Sequence, residues 1–301
     1  MAGARGRRRG DFPAGQGLAG LLRCGKPAAP VPCGRQSEAI ASRPMKIASF
    51  NINGVKARLP ALLDWLRDAN ADVVALQEIK STDDQFPRLE IEDMGYNVET
   101  HGQKGFNGVA LISKLPMEDV TRGLPGDDGD EQARWIEATV AGVRVCGLYL
   151  PNGNPAPGPK YDYKLGWMAR LEARVSKLLE AEETAVILGD YNVIPQDEDC
   201  WNPSVWTGDA LFLPPTREAF RRLLNLGLTD ALRVVDRSPG IYTFWDYQAG
   251  ALQKNWGIRI DHVLLTPQAA DRLETCGIDA EVRRREKPSD HVPIWVTLEA
   301  A

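Results

Sequence analysis

Short apolar runs that stop abruptly at polar residues constrain this chain most. "KIASFN" ends at Asn51, "DVVALQE" (72–78) at Gln77 and Glu78, and "AVILGDYN" (185–192) at Asp190 and Asn192. "GVALIS" (108–113), "RWIEATV" (134–140), "VRVCGLYL" (143–150), "RIDHVLLT" (259–266) and "VPIWVTL" (292–298) are further runs of the same kind. Their length and β-branched content predict buried strands. Helical spacing appears in three places. Leu59, Leu62, Leu63 and Leu66 lie on one face of "RLPALLDWLRDA", with Pro60 read into the first turn. Trp167, Met168, Leu171, Val175, Leu178 and Leu179 lie on one face of a helix expected over 165–182, and another is expected over 217–226. Many strands and few helices predict an α/β chain in which two sheets pack face to face under covering helices. No internal repeat and no linker interrupts residues 45–301, so they are read as one domain.

The length of 301 residues permits one large α/β domain, and 43% hydrophobic with 26% charged residues is an ordinary globular balance. No apolar run is long enough to span a bilayer, so no membrane partner is expected. Five cysteines form no CxxC pair, which predicts reduced thiols in a reducing cytosol. Charge is uneven. Residues 1–44 hold eight Lys/Arg against two acids, a net of +6 in a chain of net charge −5, so the remainder carries −11. This Gly-, Pro- and Arg-rich segment is expected to be a disordered basic extension. It reads as a nucleic-acid-binding tail, an organelle transit peptide, or a start set upstream of Met45, and the last is favoured because "MKIASFN" reads directly as a first strand. An acidic body repels a polyanion, yet a metal-using site needs carboxylates and a local basic rim can track phosphates.

Strand ends are where α/β proteins build sites. Glu78 ends a buried run, where an acid is costly to desolvate without a partner. It reads either as a ligand for a hard cation such as Mg²⁺ or as one half of a salt bridge with Lys80 or Lys56. Asp190 and Asn192 would share a side if their strand continues, placing an acid and an amide where a water or an oxyanion could sit; the alternative is an Asx turn before Pro195. Two of the three histidines stand in Asp-His dipeptides, Asp261-His262 and Asp290-His291. Neighbours on a strand face opposite ways, so an Asp cannot easily grip the imidazole beside it, and a crossed pairing is the more plausible one. His291 is the candidate for chemistry. His101 and His262 are read as core histidines bonded to backbone carbonyls. The loop "HGQKGFNG" (101–108) lacks phosphate-loop spacing, but its Lys104 and Asn107, with Lys56, Arg58 and Arg134, read either as phosphate-backbone contacts or as solvated charge.

Taken in order, "SFNINGVKAR", "LQEIK", "HGQKGFNGVAL", "YLPNG", "LGDYNVIP", "RIDHVLLT" and "KPSDHVPIW" resemble the exonuclease III family of abasic-site DNA endonucleases, within the endonuclease/exonuclease/phosphatase superfamily. The resemblance runs from about Met45 to Leu298 and leaves out residues 1–44. It implies a four-layered α/β sandwich. It implies a Mg²⁺-dependent nuclease, with Mn²⁺ as a substitute, that hydrolyses the phosphodiester 5′ to an abasic site in double-stranded DNA. It further implies 3′–5′ exonuclease and 3′-phosphatase or phosphodiesterase activity on blocked 3′ ends, in a cytoplasmic monomer. By matched position, Glu78 is the metal ligand with Asn51 and Asp290 close by, and Asp190 and Asn192 offer a possible second metal site. Asp190 positions or deprotonates the water, Asn192 is its amide partner, Tyr149 contacts the phosphate, and Asp261 hydrogen-bonds His291. A buried carboxylate there raises the pKa of the imidazole. Lys56, Arg58, Lys104, Asn107 and Asn152 are the expected DNA contacts. Phe244, Ile258 and Ile260 match an apolar pocket for a flipped-out abasic sugar, which excludes normal nucleotides by size. The loop "CWNPSVWTGDALFLPP" (200–215) either reaches the minor groove through Trp201, Trp206, Leu211 and Phe212 or packs onto the body. A superfamily phosphatase on a small phosphoester or lipid head group, and a DNA-binding protein without catalysis, are the alternatives.

Overall fold

A computed structural model describes residues 43–300. The reading of residues 1–44 as an extension falls almost wholly outside this range, as do Cys24 and Cys33. Among the described residues, Cys146, Cys200 and Cys276 are free and buried, and no helix is long and apolar enough to cross a membrane.

Among the described residues, twelve strands form two six-stranded sheets. They are β1 (Met45–Asn51), β2 (Val73–Gln77), β3 (Asn97–His101), β4 (Val109–Ser113), β5 (Glu118–Arg122) and β6 (Trp135–Val140). They continue with β7 (Val143–Tyr149), β8 (Ala185–Asp190), β9 (Thr229–Asp230), β10 (Asp261–Leu265), β11 (Leu273–Ile278) and β12 (Ile294–Leu298). One sheet has the order β11-β12-β1-β2-β4-β3 and the other β5-β6-β7-β8-β10-β9.

The period of two explains why the strands read as unbroken apolar runs. In β2, Val73 and Ala75 face the core between the sheets, with Val145, Leu188 and Val263 of the other sheet. Val74 and Leu76 face the opposite way and meet Leu62, Trp65 and Leu66 of the helix Val55–Ala69. The helix Pro159–Glu180 covers the outer face of the second sheet in the same manner, with Trp167, Leu171 and Val175 against Leu148 and Ile187. The two sheets approach so closely at β7 that a Cβ on Gly147 would lie 3.0 Å from the Ala75 methyl. Helix, sheet, sheet and helix give the four layers expected.

Element boundaries move where prolines begin helices. The helix expected over 165–182 starts at Pro159, and that expected over 217–226 is Pro214–Asn225. Proline suits a first turn because its missing N–H would have no helical partner there. The first helix starts at Val55, so Pro60 sits in its second turn rather than its first. Backbone bonds Gly54 N to Glu78 O (2.7 Å) and Val55 N to Ile79 O (3.1 Å) fix that earlier start.

Register carries the polar strand ends to one place. Asn51 pairs with Gln77 across parallel β1 and β2, and Tyr149 pairs with Asp190 across parallel β7 and β8. Antiparallel β10 begins at the same edge, with Asp261 opposite Asp190.

Candidate active site

The Asn51 side-chain amide joins the two sheets. Its Nδ2 donates to Glu78 Oε1 at 2.9 Å and to Asp190 Oδ2 at 3.0 Å. Glu78 lies just past β2 in a left-handed conformation (φ 48°), which turns its carboxylate back across the strand ends. Its second oxygen, Oε2, is 2.8 Å from Lys80 Nζ, so the salt bridge is present with Lys80 as the partner. Lys56 is not the partner; it bonds Gln85 Oε1 at 2.8 Å. One carboxylate oxygen each from Glu78 and Asp190 and a ring nitrogen of His291 lie within 4.8 Å of one another. Asp290 stands one step out, with Oδ1 accepting from Asn53 Nδ2 at 2.9 Å.

These residues fit a hard divalent cation. Two carboxylates converge in a largely buried place, an arrangement that repels itself unless a positive charge is shared. Burial raises the Asp190 carboxyl well above the carboxylate range, and Asp261 and Glu78 push the same way against the attraction of His291. Burial also pushes Glu78 up, but the bonds from Lys80 and Asn51 outweigh it and hold Glu78 below its ordinary value. One or two carboxylates plus retained waters is the coordination that Mg²⁺ prefers.

The two Asp-His dipeptides do cross. His291 Nδ1 is 2.8 Å from Asp261 Oδ2, and its other ring nitrogen, Nε2, is 3.7 Å from Asp190 Oδ2. Burial lowers the imidazole pKa, but Asp261 and Asp190 overcome it and the net shift is upward. A cationic imidazolium is therefore held against the carboxylate that faces it. Ser289 fixes the loop, accepting from His291 N at 3.2 Å and donating to Asn51 O at 2.7 Å. Thr243 Oγ1 accepts from both Ile260 N and Asp261 N at 3.1 Å, which sets the turn of chain that aims Asp261. His262 faces away, with Nε2 3.0 Å from Val193 O, and His101 Nδ1 is 3.2 Å from Trp135 O. Both are the carbonyl-bonded histidines expected.

Strand β8 ends at Asp190, so Asp190 and Asn192 do not share a strand face. Asn192 is left-handed (φ 49°), and its N–H donates to Asp190 Oδ1 at 2.9 Å. The Asx turn is present, and it still brings Asn192 beneath the site. There Asn192 Nδ2 donates to Leu150 O (2.9 Å) and its Oδ1 accepts from Asn152 Nδ2 (3.1 Å). Tyr149 is half-buried under the Arg134 guanidinium, 4.9 Å from its ring. Burial first, then Glu78 and Asp190, push its phenol far up, so Tyr149 is a hydrogen-bond donor.

The outer residues divide. Lys104 is exposed and Asn152 lies at the rim. Arg58 bonds Pro288 O (3.2 Å), the Tyr247 hydroxyl (2.9 Å) and Asn53 O. Asn107 is buried and holds its own loop through Gln103 Oε1 at 3.0 Å. Ile258 and Ile260 are buried with Leu211 and Phe212, and Phe244 and Trp206 pack on them. The 200–215 loop thus packs onto the body at this wall. The Phe244 ring meets His291 edge-on at 5.0 Å.

Two residues bonded to the site escaped the sequence reading. Asn53 links Lys80 to Asp290, and its signal is the spacing of two from Asn51 in "NIN". Lys164 is fully buried and donates to Asn152 O (3.0 Å) and Asn192 O (2.6 Å), bracing both loops from below. Its signal is a charge on the apolar face of a helix, between Tyr161 and Trp167.

Comparison with known proteins agrees with this geometry. The family model described as Endonuclease/Exonuclease/phosphatase family matches residues 48–291. The exodeoxyribonuclease III of Haemophilus influenzae is 37% identical over 263 residues, covering 83% of this chain and 98% of that protein. An AP endonuclease structure from Archaeoglobus fulgidus superposes with a TM-score of 0.81 at 38% identity, covering 84% of this chain and 99% of that one. The 3′ phosphatase NExo from Neisseria, solved with a product DNA hairpin, superposes with a TM-score of 0.82 at 39% identity, covering 85% and 99%.

Proposed function

The chain belongs to the endonuclease/exonuclease/phosphatase family, and on that premise we propose a DNA-repair nuclease that hydrolyses the phosphodiester 5′ to abasic sites in duplex DNA and trims or dephosphorylates blocked 3′ ends. The observation that carries this reading is the meeting of Glu78, Asp190 and His291 at one point, with His291 held by Asp261.

Each residue has a chemical task. Glu78, with Asn51 and Asp290, would hold Mg²⁺ or Mn²⁺, and the cation would draw charge from a phosphate oxygen. Asp190, kept in place by Asn51 and the Asn192 amide, orients the attacking water. Asn192 keeps the floor of the site polar and is held there by Asn152 from the rim. Tyr149 donates to the phosphate. The His291 imidazolium offers Nε2–H to the charge that develops on the phosphorus oxygens, in a setting where a fixed donor needs no reorganisation. Phe244, Ile258 and Ile260 supply an apolar wall beside His291, which suits a sugar without a base better than a full nucleotide. Lys56, Arg58, Lys104 and Asn152 would contact the DNA backbone, while the buried Asn107 shapes the loop that carries Lys104. We place the catalytic unit at residues 45–301, as a monomer, and in the cytoplasm by likeness to a bacterial exodeoxyribonuclease III.

The test is incision of a duplex carrying a tetrahydrofuran abasic analogue in Mg²⁺, beside a duplex with a 3′-phosphate. Cleavage 5′ to the analogue is the expected result. Activity confined to the 3′-phosphate would move the protein to the phosphatase branch, and turnover of a small phosphoester or lipid head group alone would overturn the DNA reading.

A further inference from the structure

Glu78 and Lys80 are both left-handed, with φ of 48° and 50°, and neither is glycine. Such conformations are disfavoured for residues with a Cβ and persist where their surroundings hold them. Here the turn is pinned on both sides. Gly54 N donates to Glu78 O and Val55 N to Ile79 O; Ile79 N donates to Gly108 O (3.1 Å) and Lys80 N to Asn107 O (3.0 Å). The result is that an acid and a base two residues apart are aimed at the same point. Lys80 Nζ is 2.8 Å from Glu78 Oε2 and 2.5 Å from Asn53 Oδ1, and Asn53 Nδ2 carries the link on to Asp290.

Glu78 has two oxygens, and each has a partner. Oε1 accepts from Asn51, and Oε2 faces the Lys80 ammonium. A divalent cation held by Glu78 therefore meets a positive charge already bound to the same carboxylate. The two repel, and the ammonium has to yield. It has room to do so, because the Lys80 side chain is 32% exposed at the mouth of the site.

We propose that Lys80 is an internal counter-ion that competes with the divalent cation for Glu78. This rests on the reading of Glu78 as the metal ligand. Two properties follow. Cation binding is weaker than the carboxylates alone would give, because part of the attraction is already used. Cation entry also releases the ammonium from Glu78 towards solvent. Lys80 is thus a positioning residue whose place depends on whether the cation is bound.

The experiment is a titration of the whole protein with Mn²⁺ alone, without DNA, followed by calorimetry and by loss of the free Mn²⁺ electron spin resonance signal. Lys80→Met is expected to tighten Mn²⁺ binding about tenfold, which is about 1.4 kcal/mol. Lys80→Arg keeps the charge and should stay within about twofold of the parent. Lys80→Gln gives a second neutral variant should the Met form lose its fold, checked by melting temperature. Unchanged or weaker Mn²⁺ binding in a folded neutral variant overturns the proposal, and so does a parent and a neutral variant that both fail to bind. A parent that binds Mn²⁺ and a neutral variant that binds it more tightly support the proposal even where no DNA is cut, so its failure and that of the nuclease reading are separable.

Discussion

Asp261 grips His291 across thirty residues of chain, with Oδ2 2.8 Å from Nδ1, while Asp290 beside His291 reaches away to Asn53. Two side chains joined in this way act as one unit. Asp261→Asn and His291→Asn should each lower kcat roughly 10²- to 10³-fold, the loss expected on removing a donor aimed at developing charge. The double variant should be little worse than either, because losses within a unit are not additive. Losses that multiply would show that the two residues work independently. Asp290→Asn should lose activity by another route and shift the Mg²⁺ dependence.

The same pair sets a pH dependence. The His291 pKa is raised to about 10, since Asp261 and Asp190 outweigh the effect of burial. The folded value lies above the unfolded one of about 6.5. The stabilisation is therefore complete below about pH 6.5 and is lost as pH rises through about 10. Across pH 6–8 the imidazole stays protonated, so its NMR ring shifts should not titrate there. In Asp261→Asn a titration should appear nearer neutrality. A His291 midpoint near 6.5 in the parent would contradict the pairing.

Glu78→Gln removes the charge at the convergence point and keeps the size. Turnover on the abasic duplex should fall by about 10³-fold or more, since the phosphate loses its charge stabilisation. DNA affinity, measured in EDTA by anisotropy, should change by less than about tenfold. An undiminished rate in Mg²⁺ would show that Glu78 holds no essential cation.

His262 gives a separate stability signature. Burial first, and then Arg259, lower its pKa to about 4. The unfolded chain binds the proton between about pH 6.5 and 4 and the folded protein does not, so stability falls as pH drops through that window. At about 1.4 kcal/mol per unit the loss is roughly 3 kcal/mol. Urea unfolding of His262→Gln should show a flatter dependence between pH 7 and 4.5. Equal slopes in parent and variant would place the titration elsewhere.

Deleting residues 2–42 should leave the melting temperature and abasic-site cleavage within error of the full chain. The composition of that segment gives it little apolar surface with which to build a core. Arg43 is kept because it bonds Asp72 through Nη1 (3.0 Å) and Nη2 (2.5 Å) where β1 begins. A tenfold loss of cleavage at physiological salt would assign the basic segment a part in DNA binding.

The amino-acid sequence by itself determined the strands with both faces buried, because apolar side chains on both faces write the strand as an unbroken run. It also determined that polar groups gather at strand ends. It favoured a crossed pairing for His291 on the ground that strand neighbours alternate, but Asp290 and His291 lie ahead of β12, and the contact with Asp261 is what decides the pairing. The four strands it did not reveal, β3, β5, β9 and β11, are the four edges of the two sheets. An edge is solvated and paired on one side only, so residues such as those of "EDVTR" in β5 carry no apolar pattern to read. Tertiary structure alone decided which base meets Glu78, because the left-handed turn, pinned by backbone bonds from two other segments, aims Lys80 inward while Lys56 goes to Gln85. It alone turned Asn192 off its strand. It alone set Asn51 between Glu78 and Asp190, 139 residues apart from the latter, since such a contact depends on the register and spacing of two sheets rather than on any local pattern.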